Sequence, residues 1–423
     1  MKTAITFILM FGILVIIHEF GHFFFARRSG ILVREFAIGM GPKLFSHQDS
    51  KGTTYTIRLL PVGGYVRMAG WGEDDNNIPP GTTMTLLLDE NNIVKKINLS
   101  KKIVLEQGLP FEVDSVDLEN ELFIKGYING DESQLVKYLV DHDAILIGED
   151  DTQIRIAPID VQMQSVSVPK RMMTNFAGPM NNFILAILLF VFIAFLQGGS
   201  PINDTNQLGE VTKGSVAAKS GLRENDYIEE IAGKKVANWT EMKEAMNQYL
   251  GEEIEIKVRR GEKTFVKKLI PKTSTINGEK VGVIGVKQPM DRHFFSGIIL
   301  GGFKIAWSKS TGILKAIADL FKGFSLNKLG GPVMMFQMSQ KASKSGFINI
   351  IILTAVLSIN LGFVNLLPIP ALDGGKIVLN VIEGIRGKSM SREKEGIFTL
   401  VGASFLLLLM IAVTWNDILR FFR

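Results

Sequence analysis

Four long apolar stretches constrain the fold of this chain more than any other feature of its sequence. They lie at 4–26, 172–196, 347–367 and 397–415. A helix needs about 20 predominantly apolar residues to cross the hydrocarbon core of a bilayer, and each stretch is close to that length. The sequence therefore predicts a polytopic α-helical membrane protein with four transmembrane helices.

The first stretch is predicted to be a retained helix rather than a cleaved signal peptide. Its apolar core is too long for a signal peptide, and it carries His18, Glu19 and His22. No small-residue cleavage site precedes the basic pair Arg27-Arg28. We therefore count this stretch as the first transmembrane helix.

Basic residues near the helix ends predict the orientation of the chain, because short cytoplasmic flanks are enriched in Lys and Arg. They follow the first stretch, precede the second and lie between the third and fourth: Arg27, Arg28, Arg34, Lys170, Arg171, Lys376, Arg386, Lys388, Arg392 and Lys394. This pattern places segment 73–168 in the cytoplasm. Both chain ends and segment 198–346 are expected outside.

Composition narrows the chemistry that is open to the chain. It has no cysteine, which excludes disulfides, thiolate zinc sites, iron–sulfur clusters and cysteine nucleophiles, so a metal must be bound by His, Asp or Glu. Segment 73–168 is acidic, with 19 Asp and Glu against 7 Lys and Arg, although the whole chain has a net charge of +5. No Lys/Arg run is interleaved with aromatic residues, which argues against nucleic-acid binding.

Segment 208–286 has the pattern of a folded domain. A small-residue helix around Ser215–Ser220 precedes a helical stretch at Trp239–Tyr249 and two alternating runs on either side of the turn at 260–262. This order is similar to a PDZ domain of the bacterial protease-associated kind, with Asn225 where such domains usually have Gly. The domain is expected either to bind peptide ends by strand addition or to act as a spacer or steric cap.

Two further segments are predicted to lie at the membrane. Tyr55–Met68 contains two alternating runs joined by a glycine-rich turn, which predicts a β-hairpin tethered to the first helix. It either dips into the membrane and offers an open edge to a substrate strand, or it is an ordinary cytoplasmic hairpin. Segment 291–345 has helical stretches with scattered lysines, such as Trp307–Phe324, and is either an amphipathic membrane-surface segment or a buried connector.

These patterns divide the chain into transmembrane helices and the segments between them. The predicted parts are transmembrane helix 1 (1–27), the membrane-associated β-hairpin region (35–72), the acidic cytoplasmic insert (73–168), transmembrane helix 2 (172–197), the extracytoplasmic PDZ domain (203–290), the amphipathic segment (291–345), transmembrane helix 3 (346–392) and transmembrane helix 4 (396–420).

The pattern His18-Glu19-Phe20-Gly21-His22, within the first helix, predicts a zinc site. Residues four apart on a helix share a face with side chains about 5–6 Å apart, so both imidazoles can reach one ion. Glu19 lies about 100° further round the helix, where it is placed to act on water as a general base. The alternative is a polar trio satisfied by neighbouring helices, but ionisable side chains at membrane depth cost about 2.5–3.5 kcal/mol each.

A third ligand is expected, because hydrolytic zinc sites usually have three protein ligands. The better candidate is Asp373, which follows Pro368 and Pro370 where they break the third apolar stretch. His18 and His22 lie about 21–27 Å from the outer end of the first helix, and the third stretch runs inward to Asp373 at the same level. The alternative for Asp373 is a helix cap or an interfacial charge. The other histidines are expected at the solvated surface: His47, His142 and His293.

Together these motifs resemble the site-2 protease family of intramembrane zinc metalloproteases, and within it the bacterial RseP/RasP-like branch. The residues that carry the resemblance are the His18–His22 motif and the run from Asn365 to Gly375, which reads N-L-L-P-I-P-A-L-D-G-G. The stretch Phe176–Asn182 is similar to the A-G-P-x-x-N stretch of the family's second helix. The acidic insert carries none of these motifs.

The resemblance implies a set of site residues. By this likeness His18, His22 and Asp373 bind Zn²⁺ and Glu19 activates water. Asn365 helps to hold the backbone of the substrate. The edge of the predicted hairpin adds the remaining substrate-binding candidates, which are Gly63, Gly64 and Tyr65.

The resemblance also implies a function. By this likeness the protein is a multi-pass metalloendopeptidase of the bacterial plasma membrane. It is expected to cleave transmembrane segments of single-span proteins, such as anti-sigma factors and remnant signal peptides, in regulated intramembrane proteolysis. The expected partners are these substrates and the lipid bilayer, and nucleic acid is not expected. The competing interpretations are a membrane metal carrier and a non-catalytic PDZ scaffold. A carrier should have internal repeats and a polar path to both faces, which the sequence lacks, and it has no use for Glu19.

Overall fold

The computed structural model describes residues 2–70, 78–276, 279–388 and 390–421. The chain divides into two compact units. The first comprises Met1–Ala186 and Ser310–Arg423, and the second comprises Ile187–Lys309.

Helices and strands alternate in blocks along the chain. The α-helices are α1 Lys2–Arg28, α2 Val168–Gln197, α3 Val216–Lys219, α4 Trp239–Asn247, α5 Gly301–Lys322, α6 Pro332–Ser345, α7 Phe347–Asn365, α8 Asp373–Arg386 and α9 Arg392–Phe421. The strands are β1 Val33–Gln48, β2 Thr54–Met68, β3 Thr83–Leu88, β4 Val94–Asn98, β5 Leu109–Asp117, β6 Phe123–Ile128, β7 Leu135–Ile147, β8 Gln153–Arg155, β9 Ser200–Pro201, β10 Tyr227–Ile231, β11 Lys234–Lys235, β12 Ile254–Arg260, β13 Lys263–Leu269, β14 Lys272–Ile276, β15 Glu279–Val283 and β16 Met290–Asp291. Short 3-10 helices cover Ile159–Val161 and Leu326–Lys328, and a π-helix covers Phe294–Leu300.

The four predicted apolar stretches are helical and correspond to α1, α2, α7 and α9. Among the described residues these four helices are long and apolar enough to cross a bilayer. Much of their surface is exposed and apolar, as in Leu9, Leu188 and Leu408, which are 59%, 59% and 67% exposed. In a membrane these side chains face lipid, so their exposure carries no cost.

Glycines allow the first two helices to pack closely. A Cβ on Gly21 of α1 would lie 2.3 Å from the carbonyl oxygen of Ala177 on α2, so only glycine fits at this crossing. Helix α7 joins the same group through Gly362, which lies against the ring of Phe183 on α2. Helices α1, α2 and α7 therefore pack at distances that a larger residue at these positions would prevent.

The proline-rich run after α7 forms a compact break. Helix α7 ends at Asn365, and α8 begins at Asp373. The first turn of α8 lies directly on this break: Cβ atoms on Gly374 and Gly375 would come within 2.3 Å of the carbonyl oxygens of Leu366 and Ile369. The two glycines thus allow the carboxylate of Asp373 to sit where the chain doubles back on itself.

Strands β1 and β2 form one bent, bulged antiparallel sheet. Residues Glu35–Ile38 of β1 lie between two parts of β2, with Thr54–Ile57 on one side and Gly64–Arg67 on the other. The predicted pairing of the two runs of Tyr55–Met68 with each other is therefore wrong. Both runs pair with β1, because its buried first half offers a central strand with two edges. The outer edge of Gly64–Arg67 has no strand partner in the described part of the chain.

The acidic insert folds as a β-barrel over the described residues from Ile78 onward. Its strands follow the order β4-β3-β5-β6-β7-β8, and an additional pairing of β4 with β7 closes the sheet. The core contains fully buried apolar side chains: Leu86, Val94, Ile97, Ile124 and Ile156. The insert thus has its own core. Its acidic residues are compatible with a surface exposed to water.

The second unit contains a four-stranded sheet of order β11-β10-β12-β13, covered by α4. The predicted helix at Trp239 is confirmed, and the side chain of Asn238 caps it by accepting a hydrogen bond from the amide of Glu241. The two alternating runs are confirmed as β12 and β13. Asn225 has a φ of 70°, in the left-handed region. This conformation suits the position, because PDZ domains usually have Gly there and Asn tolerates it better than most residues.

Candidate metal centre

Three potential metal ligands from distant parts of the sequence meet in the first unit. His18 and His22 lie one turn apart on the buried face of α1, and Asp373 is the first residue of α8. All three are at least nine-tenths buried. Among the described residues they form the one group of three or more His, Asp or Glu side chains with ligand atoms close enough to share an ion.

The distances between the ligand atoms fit a tetrahedral ion. Nε2 of His18 lies 3.2 Å from Nε2 of His22 and 3.2 Å from Oδ2 of Asp373, and Nε2 of His22 lies 3.4 Å from the same oxygen. Zinc bonds of about 2.0–2.1 Å in tetrahedral geometry separate two ligand atoms by about 3.3 Å. Oδ2 of Asp373 is buried and has no hydrogen-bond partner, which is expected of an atom that binds a metal.

The outer nitrogens of both imidazoles face α2. Nδ1 of His22 donates to the carbonyl oxygen of Thr174 at 2.8 Å, which leaves the lone pair of Nε2 free for a metal. Nδ1 of His18 lies 3.0 Å from the side-chain amide of Asn182, whose Oδ1 is buried without a partner. A half-turn of this amide presents Oδ1 to the ring N–H. Such contacts orient metal-binding histidines in known sites.

Helix α2 approaches the imidazoles through Gly178. A Cβ at this position would lie 2.3 Å from Nε2 of His22 and 2.8 Å from Cε1 of His18. The glycine in the Ala177-Gly178-Pro179 stretch therefore leaves room for the two rings. Any larger residue would displace the ligand atoms.

The three groups open onto a cavity of about 430 Å³, here called the site cavity. Glu19 lines it beside the two histidines, and Asn365 and Lys376 line it from the α7–α8 region. Gly63, Gly64 and Tyr65 form the wall contributed by β2. The cavity thus combines potential metal ligands, a carboxylate that is not among them, and an unpaired strand edge.

Strand β2 approaches α1 closely at Gly64. A Cβ on Gly64 would lie 3.5 Å from Cγ of Glu19 and 2.7 Å from the carbonyl oxygen of Ala37 on β1. The absence of a side chain there lets the backbone of the strand edge come within reach of Glu19.

A buried carboxylate fixes the strand edge within the sheet. Glu35 accepts hydrogen bonds from the hydroxyls of Thr56 at 2.6 Å and Tyr65 at 2.9 Å, and from the guanidinium of Arg58 at 2.9 Å. Burial alone would raise the pKa of Glu35, but these three donors hold the pKa below its ordinary value. Glu35 thus ties both parts of β2 to β1.

The remaining histidines lie outside the site cavity, as the sequence predicts. His47 is exposed on β1 opposite Tyr55, and the side chain of His293 is 89% exposed. His142 is on β7, where its hydrogen bonds to Asp143 and Asp160 raise its pKa against the opposing effect of burial.

Several residues at the site have no predicted role from sequence. They are Thr174, Asn175, Gly178 and Asn182 of α2 and Lys376 of α8. The A-G-P-x-x-N stretch marks the right region of α2, but it does not indicate which atoms face the histidines. Lys376 follows Asp373 by three residues, a spacing that puts it on the same face of a helix.

The sequence of this chain is similar to peptidases along nearly its whole length. The model of "Peptidase family M50" matches residues 6–409. A protein of Enterococcus faecalis named "Probable protease eep" is 53% identical over 422 residues, with 100% of each chain covered. Proteins named "Putative zinc metalloprotease" are 49% identical in Lactococcus lactis, over 100% of this chain and 99% of that one, and 51% identical in Streptococcus pyogenes, over 100% of both.

Among the solved structures that match, one covers a smaller part of the chain. The PDZ domain of the SdrC-like protein from Listeria monocytogenes is 22% identical, and the match covers 21% of this chain and 90% of that one with a TM-score of 0.18. The family match spans nearly all of this chain, and the relatives named as zinc metalloproteases match it along their whole length. The chain therefore belongs to peptidase family M50, the site-2 proteases, and is a zinc-dependent membrane protease.

Proposed function

We propose that the protein is an intramembrane metalloendopeptidase that cuts transmembrane segments of single-span proteins. The observation that carries this proposal is the site cavity, where His18, His22 and Asp373 present three converging ligand atoms beside Glu19. The histidines lie on a helix that is apolar enough to cross a membrane. Peptide hydrolysis at this site therefore takes place at membrane depth.

In the proposed mechanism each polar residue of the cavity has a separate task. His18, His22 and Asp373 would hold the zinc ion, and Thr174 and Asn182 orient the two imidazoles. When bound there, the ion would provide the Lewis acidity needed to polarise the scissile carbonyl and to ionise water. Glu19 takes a proton from the attacking water and returns it to the leaving amine.

The strand edge of β2 is proposed to hold the substrate. A transmembrane helix hides its amides in internal hydrogen bonds, so it must unwind before it can be cut, and bare amides in a membrane cost several kcal/mol each. The open edge at Gly63, Gly64 and Tyr65 replaces those hydrogen bonds by strand addition. Asn365, which also lines the cavity, offers a side-chain amide to the same backbone.

We propose the orientation of the chain in the membrane from the Lys and Arg residues that flank the apolar helices. We place the chain ends and a PDZ domain at 203–290 outside the bacterial plasma membrane, and the acidic insert inside. Segment 291–345 would lie on the membrane surface, since Phe303, Trp307 and Phe321 are 49%, 73% and 78% exposed on α5. Anti-sigma factors and remnant signal peptides are the proposed substrates.

A substrate with a single apolar span tests the proposed function. The full-length protein in lipid vesicles is incubated with such a substrate, labelled at both ends, and the products are mapped by mass spectrometry. We expect the cut within the apolar span. Cuts confined to the water-exposed flanks would show that the site does not act on transmembrane segments.

Substitution of Gly64 by Ala tests the strand edge. The new Cβ would overlap the carbonyl oxygen of Ala37 and push the edge out of position. We expect KM for a single-span substrate to rise about tenfold, the effect of about 1.4 kcal/mol of lost binding, while zinc content stays normal. The matched control is Gly209→Ala, whose Cβ would lie 2.7 Å from the carbonyl oxygen of Gln288, the same kind of overlap at a position outside the cavity lining. Equal kinetic effects in the two variants would rule out substrate binding at Gly64.

Deletion of 208–286 tests the role of the second unit. All residues that line the site cavity belong to the first unit, so the deleted segment contributes no group to the chemistry. We expect short, pre-trimmed substrates to be cut normally and substrates with bulky outer domains to be cut as well. If a correctly inserted, zinc-loaded deletion protein cuts neither, the domain positions the substrate and is not a steric filter.

A further inference from the structure

An ion pair joins α2 to α8 away from the site cavity. Nη1 of Arg171 donates to Oε2 of Glu383 at 2.7 Å, and both residues are 8% exposed. The second carboxylate oxygen of Glu383 accepts the backbone N–H of Met390 at 2.6 Å. Gly384 lies near Val168 of α2, since a Cβ added to it would be 3.5 Å from Cγ1 of that residue. The end of α8 is thus held against the start of α2.

The same two helices carry the parts of the metal centre. Helix α2 contacts the outer nitrogens of both histidines through Thr174 and Asn182, which follow Arg171 by three and eleven residues. Helix α8 begins with Asp373, and Glu383 lies ten residues further on, about 15 Å along the helix. The ion pair therefore connects the helix that orients two ligands to the helix that supplies the third.

Helix α8 is buried along one face, which includes Leu379 and Asn380, and exposed along the other. Its first turn is packed on the α7–α8 break through Gly374 and Gly375, which have no side chains to resist rotation. Val381 and Ile385, on its outer face, are 40% and 82% exposed. A contact near the end of a helix limits tilting about its first turn more than a contact close to that turn, because it acts at a greater distance. The pair of Arg171 and Glu383 is such a contact, ten residues beyond Asp373.

We propose that Arg171 is a positioning residue of the metal centre: through Glu383 it sets the orientation of α8 and so the place of the Asp373 carboxylate relative to His18 and His22. This inference rests on the proposed function, because it assumes that these three residues hold the metal. It assigns no chemical step to Arg171.

Metal release from the full-length protein tests this inference. Wild type and Arg171→Met are loaded with Co²⁺ in place of zinc, and two signals are followed: the visible absorption of bound cobalt and the rate of its release to a chelator. Loss of groups that orient metal ligands typically weakens metal binding by 10–100-fold. We expect cobalt to leave Arg171→Met at least tenfold faster than wild type, with a changed absorption band.

Two further variants separate positioning from general damage. Arg171→Lys keeps the charge and one donor, and should release cobalt within about threefold of the wild-type rate. The double variant Arg171→Met/Glu383→Gln leaves no unpaired buried charge but still lacks the link between the helices. We expect it to release cobalt as fast as Arg171→Met, because both variants remove the same contact. Recovery of the wild-type rate in the double variant would attribute the effect to an unpaired charge and overturn the inference.

The second unit offers a matched control. Arg260 forms an ion pair with the buried Asp226, with Nε 2.7 Å from Oδ1 and Nη2 2.8 Å from Oδ2. Arg260→Met should leave cobalt release unchanged, and an equal acceleration there would mean that any buried ion pair has this effect. If the wild type loads cobalt normally and Arg171→Met releases it at the wild-type rate, the role of Arg171 is refuted while the proposed metal ligands stand. Normal loading of His22→Ala refutes the proposed metal ligands as well.

Discussion

Substitution of Glu19 by Gln is expected to abolish peptide cleavage and to leave zinc bound. Glu19 lines the site cavity but is not one of the three converging ligands, so the metal should be retained. Glutamine has nearly the same shape but cannot take a proton from water. Because general-base catalysis contributes about 10²–10⁴-fold, we expect kcat to fall by at least a hundredfold with little change in KM.

Zinc content and kcat, measured on the same preparation, check this result. Metal analysis should give the wild-type amount in Glu19→Gln, and the thermal midpoint should stay close to that of the wild type. A variant that cuts at the normal rate would remove Glu19 from the chemistry. A variant without zinc would instead place Glu19 among the ligands.

The second large effect is expected for Asp373→Asn. The change replaces an anionic oxygen by a neutral amide at the position that completes the triangle with His18 and His22. Hydrolytic zinc sites depend on three protein ligands, so both zinc retention and activity should be lost. We expect zinc affinity to fall at least a hundredfold and cleavage to fall below detection at ordinary zinc concentrations.

Titration with zinc distinguishes loss of metal from loss of fold. The Asp373→Asn variant should regain part of its activity as free zinc is raised, and its far-ultraviolet circular dichroism should match that of the wild type. Wild-type zinc content together with wild-type turnover would show that Asp373 serves only as the first residue of α8. The third ligand would then have to come from another residue.

Much of the site can be predicted because its signals are local. The spacing of His18 and His22 on one helix puts both rings on the same face, whatever surrounds that helix. Counting residues along the first and third apolar stretches predicts that Asp373 lies at the same membrane depth as the two histidines. The positions of the four membrane helices follow from their apolar length alone. The structure brings these residues together as that arithmetic predicts.

The remaining features depend on contacts between distant segments. The sequence of β2 shows two alternating runs, but only the buried strand β1, with two free edges, decides that both runs pair with it. Likewise, nothing in the sequence of α2 indicates that Thr174 and Asn182 face the imidazoles or that Arg171 meets Glu383 more than 200 residues later. Gly21 and Gly178 let α1 and α2 approach closely enough for the contacts of Thr174 and Asn182 with the imidazoles.

The most direct test of the central claim uses purified protein and one single-span substrate. Cleavage is measured in lipid vesicles before treatment with a chelator, after it, and after addition of zinc. We predict that cleavage within the apolar span stops on chelation and returns with zinc in the wild type, but never appears in Glu19→Gln. Cleavage that continues after complete removal of the metal would contradict the assignment of catalysis to His18, His22, Asp373 and Glu19.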